Sequence, residues 1–150
     1  MLSLHCKRKQ SRWYSIGTTF RQNTSIVKFA ELELFTGLTE LYMAFQACTN
    51  LELIKLPPTI TQLRSASFRQ ASKLEELTLP ASLTTVENYA IYQMDALRSL
   101  TCLATTPPTV SSNNGIPSSC QIYVPASAVN SYKSSTWWSN YASRINPIPE

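Results

Sequence analysis

The pattern Leu-x-x-Leu-x-Leu returns along this chain every 22 to 23 residues, and no other feature restricts its folding as much. It reads Phe29-x-x-Leu32-x-Leu34, Leu51-x-x-Ile54-x-Leu56, Leu74-x-x-Leu77-x-Leu79 and Leu97-x-x-Leu100-x-Cys102. A unit this short cannot bury its own apolar face, so the copies must stack and share a core, which predicts a solenoid. Behind the second and third copies stand Leu56-Pro57 and Leu79-Pro80, where proline ends a strand for want of an amide donor. A second apolar pair follows in each (Ile60 with Leu63, Leu83 with Val86), then Phe45, Phe68 and Ile91 or Tyr92 at one shared position, and a polar turn.

The strand alternation assigns the faces. Positions one, four and six point into the stack, where burying each leucine contributes roughly 1.5–3 kcal/mol. Positions two, three and five face outward and form ladders on the concave sheet, since parallel strands lie about 4.8 Å apart. That outward set is Ala30, Glu31 and Glu33; Glu52, Leu53 and Lys55; Glu75, Glu76 and Thr78; and Arg98, Ser99 and Thr101. Tyr123 joins it from a fifth strand, Cys120-Gln-Ile122-Tyr-Val124-Pro125. Five glutamates against one lysine and one arginine make the expected face mildly acidic.

The ends differ from the middle. A basic, flexible leader is expected over residues 1–24, the solenoid over 25–125 and a C-terminal helical cap over 126–150. In the cap, Ala128 and Tyr132, then Trp137, Trp138, Tyr141 and Ile145 recur at helical spacing. The aromatics are expected to turn inward and shield the last coil, with a sugar grip by Trp137 and Trp138 as the alternative. The first coil, Phe29 to Phe35, is expected to lie exposed and to offer a route to self-association.

Composition removes several function classes. A hydrophobic share of 43% with 15% charged residues supports a packed domain over a disordered chain. No apolar run reaches the length of a membrane span, and the first residues turn polar too soon for an export signal. The net charge of +4 is uneven: residues 1–28 carry +6, and the remainder seven basic against nine acidic residues. Lys7-Arg8-Lys9 with Trp13 and Tyr14 could hold phosphate and stack bases, although a solvated terminus explains them more simply. His5 is the single histidine, Asp95 the single aspartate, and Gly17, Gly37 and Gly115 are scattered. Catalytic triads, His-based metal sites, calcium loops and phosphate loops thus lack raw material, so no enzyme activity, metal or cofactor is expected. Cys102 at an inward position and Cys120 at an outward one are offset by about 13 Å along adjacent strands, too far for a disulfide. Free thiols are expected, with Cys48 in the small buried place that Ala71 fills one coil later.

Ala44-Phe45-x-x-Cys48-x-x-Leu51-x-x-Ile54-x-Leu56-Pro57 and Phe68-x-x-Ala71-x-x-Leu74-x-x-Leu77-x-Leu79-Pro80 resemble the BspA-type leucine-rich repeat of gut Bacteroidetes and their phages. Phe20 to Thr39 is similar to the segment that precedes such repeats. Thr105-Thr106-Pro107-Pro108, Ile122-Tyr123-Val124-Pro125 and Tyr132 through Ile145 are similar to their C-terminal cap. The resemblance implies an α/β fold, a short right-handed leucine-rich-repeat solenoid of about four to five parallel coils with a small helical cap. It also implies a non-catalytic module that binds a protein or glycan on its concave face, in adhesion at an extracellular or cell surface. A structural or assembly unit of a longer or phage-encoded protein is the alternative, and nucleic-acid binding through the leader a third.

Overall fold

The computed structural model describes residues 15–150. Ten short strands follow one another: β1 Lys28–Phe29, β2 Glu40–Leu41, β3 Leu53–Ile54, β4 Gln62–Leu63 and β5 Glu76–Leu79, then β6 Thr85–Val86, β7 Ser99–Cys102, β8 Thr109–Val110, β9 Gln121–Val124 and β10 Ile145–Pro147. All pairings are parallel. One flank carries the sheet β2-β4-β6-β8; the other carries β5-β7-β9-β10 and the separate pair β1-β3. Through β8 each coil thus gives one strand to each flank, β9 and β10 extend the β5 flank alone, and the leucines between the flanks form a single core.

A third seam closes each coil through the aromatic position. Phe20, Phe45 and Phe68 stack with centroids 5.6 and 5.5 Å apart and nearly parallel rings, and buried Ile91 continues the file. Along this turn alternate amides donate to the next coil: Phe45 to Ser67 at 2.8 Å, Ala47 to Arg69 at 2.7 Å, Phe68 to Ala90 at 2.8 Å and Gln70 to Tyr92 at 3.0 Å. The tight geometry needs left-handed residues, and Gln22, Ala47, Gln70 and Gln93 supply them at φ between 55° and 64° without glycine. Each costs roughly 1–2 kcal/mol, a strain held at Gln22, Ala47 and Gln70 by an amide bond to the next coil. In the last turn Asn114 replaces the backbone: its side-chain oxygen accepts from Ile91 N at 2.9 Å, and its amide donates to Glu87 O at 2.8 Å.

Four expectations are corrected at the ends. Phe29 pairs with Ile54, not Leu51; the first unit is therefore offset by 25 residues, and after Phe29 the chain turns into a 3-10 helix over Ala30–Leu34. Leu34, expected inward, is 56% exposed, whereas Phe29 and Leu32 are buried. Residues 15–24 do not form a loose leader. Ser15 bridges Glu40, Ile16 is buried, and Phe20 begins the phenylalanine file, so they build a further half-coil below the first. The basic cluster Lys7-Arg8-Lys9 and Cys6 lie outside the described residues. Cys120 faces inward, fully buried, because the run before β9 is one residue shorter and brings it to the place of Leu97; Cys120 N reaches Pro117 O as Leu97 N reaches Met94 O. Finally, the cap ends in β10, which pairs with β9 where helical spacing predicts helix through Ile145.

The cap otherwise turns its aromatics inward. Trp138 and Tyr132 are buried against each other at 4.8 Å, with indole N–H groups of Trp138 and Trp137 donating to Pro108 O and Asn114 O at 2.9 and 3.3 Å. The Tyr132 hydroxyl donates to Ala104 O at 2.7 Å and lies 3.1 Å from Cys102 Sγ. Cys48, Cys102 and Cys120 are free and buried. Burial raises the pKa of all three thiols, Cys120 to about 11 even though the Arg144 charge pulls it down.

Two outcomes follow from this packing. Leu77→Ala, emptying a position that is 1% exposed, lowers stability by about 2–5 kcal/mol in denaturant titration. The raised thiol pKa values stabilise the fold fully below the ordinary thiol value of 9.0, and that contribution is lost as pH rises toward about 11. The melting temperature therefore falls between pH 9 and 11, and Cys120→Ala makes that fall shallower.

Candidate functional site

The outer side of the strands on the β5 flank gathers most of the side chains expected to face a partner. Register places Glu76, Ser99 and Gln121 on one rung, and Thr78, Thr101 and Tyr123 on the next. Asn146 of β10 continues the second rung beside Tyr123 and donates to Gln121 Oε1 at 3.2 Å. Side chains alternate in a strand, so inward Leu77, Leu100 and Ile122 fix the others outward. Glu76 and Thr78 are exposed, and Ser99, Thr101 and Tyr123 are half-buried in the sheet surface.

Glu52, Leu53 and Lys55 are exposed on the neighbouring coil, and Leu53 is 38% exposed, a large apolar group left to solvent. Glu31 and Glu33 do not join the strands. The 3-10 helix after Phe29 carries them and Ala30 off the ladder, and Lys28 takes the rung beside Leu53 instead. Glu33 still reaches Lys55 at 3.8 Å, and Glu75 reaches Arg98 at 3.9 Å. These pairs are exposed and contribute little, of order 0–1 kcal/mol each.

The expected acidic character is not found. Lys28, Lys55, Lys73 and Arg98 stand among Glu33, Glu52, Glu75 and Glu76, four charges of each sign. Between the two coils lies a depression of about 620 Å³, with Leu53, Ile54 and Lys55 on one bank and Lys73, Glu76 and Thr78 on the other. Such a mixture of paired charges, hydroxyls, amides and one apolar residue suits recognition by many weak contacts. Among the described residues no group of three His, Cys, Asp or Glu side chains could hold a metal ion.

Three participants escaped the sequence reading. Lys28 was hidden by the 25-residue spacing of the first unit, for which the Phe20-to-Phe45 interval of 25 was the available signal. Gln121 was legible from Ile122 and Val124, whose alternation puts it outward. Asn146 was obscured by reading the last segment as helix, although Pro147 beside Ile145 argued for extended chain.

The comparison with known families agrees with this architecture. A family model described as BspA type leucine rich repeat region matches residues 14–120 in six copies. That span takes in the half-coil before β1 and ends at Cys120. No curated protein matches the chain.

Proposed function

The chain belongs to the BspA-type leucine-rich repeat family, and from that premise we propose that it is a non-catalytic module that attaches to a protein or glycan at a cell surface. The observation that carries this reading is the ordered outer face of β5, β7 and β9, where two rungs of polar and aromatic side chains are presented on a rigid ladder. Such positions vary without disturbing the core behind them, which is how one scaffold serves many ligands. No helix among the described residues is long and apolar enough to cross a membrane.

A chain carrying Glu76→Lys, Arg98→Glu and Gln121→Lys, all at exposed positions, tests the reading on arrays of host-surface proteins and glycans. Binding by the original chain should be lost while the melting temperature moves little, because exposed substitutions stay within about 0.5 kcal/mol each. Binding that survives all three changes would refute it.

A second reading, assembly with further copies, is favoured by Val27 and Leu34, which are 41% and 56% exposed beside the first coil. Sedimentation velocity should then show a dimer that Leu34→Ser returns to monomer. A monomer at every concentration removes this reading.

A further inference from the structure

The two coils that frame the depression are joined on two sides and parted on the third. Their opposite flank is closed by β4 pairing with β6, and their aromatic turns by Phe68 N donating to Ala90 O at 2.8 Å. On the recognition flank, β3 and β5 do not pair. Glu52 N donates to Val27 O, Arg98 N to Glu75 O and Gln121 N to Arg98 O, each at 2.8 Å, yet no backbone hydrogen bond joins Glu52 to Glu75, the corresponding link between these coils.

The neighbouring ladders show which main-chain groups face the opening. In a parallel ladder, alternate residues turn both their N–H and their C=O to the same neighbour. Ser99 N and Leu103 N donate to Glu75 O and Leu79 O at 3.1 and 3.0 Å, so Glu75, Leu77 and Leu79 turn to β7, and Glu76 and Thr78 turn toward β3. Across the gap, Leu53 N donates to Val27 O at 3.2 Å and turns to β1, which leaves Ile54 facing β5. Two strand edges therefore confront each other with hydrogen-bonding capacity unspent. An edge of this kind is a template for another strand. The floor is open too: Ile54 is 7% exposed, where the equivalent Leu77 and Leu100 are at 1% and 0%.

Charge sets the polarity of the missing strand. Glu52 and Glu76 lie toward its N-terminal end and form no ion pair among the described residues, whereas β7 answers Glu75 at that level with Arg98. Lys55, toward the other end, is matched by Glu33.

We propose that the opening is a slot for one extended polypeptide strand of a partner, added between β3 and β5 with a basic residue level with Glu52 and Glu76 and an apolar residue over Ile54. This rests on the recognition role of the same flank. It is binding by strand addition, in which main-chain hydrogen bonds supply affinity and alternate side chains supply selectivity.

The test uses the full chain and the acetylated, amidated peptide Arg-Ser-Leu-Thr-Val-Thr, patterned on β7. In the free protein, amides of Ile54, Glu76 and Thr78 should exchange with solvent at least about tenfold faster than those of Leu77 and Thr101, and saturating peptide should slow them. N-methylation of alternate peptide residues should weaken binding at least about tenfold, since two or more main-chain bonds are lost, and replacing the peptide's arginine by glutamate should weaken it further. Slow exchange at Glu76 and Thr78 in the free chain, or equal binding of the methylated peptide, would overturn the slot. Either result leaves the outer-face reading standing, because that one is decided separately by the triple substitution on protein and glycan arrays.

Discussion

Everything in this molecule depends on one constraint: no coil can bury its own leucines, so each inward side chain is dry only because another coil lies above or below it. Leu77 is shut in by coils on both sides, and its burial is worth the few kcal/mol that a large apolar side chain brings. The chain must therefore repeat its geometry closely, and the seams that enforce the repeat are backbone seams. Two strand ladders and the aromatic turn tie the coils at three points around the circumference, save between β3 and β5, where one ladder is open. The strained left-handed residues Gln22, Ala47 and Gln70 persist at that turn because each donates its amide to the next coil.

The same constraint makes the ends exceptional. At the start, the half-coil with Ile16 and Phe20 covers Phe29 and Phe45 with an aromatic of its own. At the finish, polar mimicry and aromatic bulk close the stack together. Asn114 supplies the hydrogen bonds that a next turn would have made, and Trp138 and Tyr132 supply apolar cover. Buried thiols fit this setting as small apolar fillers, kept protonated by the dry surroundings that raise their pKa values.

How much of this was legible in the sequence follows from the regularity of each segment. From Leu51 to Leu100 the period is constant, and there position in the pattern predicts burial residue by residue: Leu51, Ile54, Leu74, Leu77, Leu97 and Leu100 all face the core. The first unit defeated that logic because two extra residues shift its register, and Phe29-x-x-Leu32-x-Leu34 imitates the motif while folding as strand followed by 3-10 helix. Spacing alone could not separate the imitation from the motif; pairing with β3 does. The cap failed in one detail for a related reason, since Ile145 satisfies helical spacing with Tyr141 and strand pairing with Ile122 equally well, and tertiary contact chose the strand. Of the candidate face, the outward positions of the regular coils were legible, but its charge balance was not. Glu31 and Glu33 leave the ladder, and Lys28 and Lys73 enter its surroundings.

A stack fastened at three seams can yield at one of them without coming apart, and this one yields between β3 and β5. Glu52 and Glu76 stand on its two banks without ion pairs among the described residues, and like charges on adjacent strands disfavour close pairing. The two remaining seams keep Leu51, Leu74 and the file from Phe45 to Phe68 buried. Opening one flank therefore exposes main chain and a sliver of Ile54 while the core stays intact. A repeat protein can in this way vary its binding surface by the pairing of its strands as well as by the residues upon them, because the energy that holds the coils together resides mainly in the leucines behind the sheet.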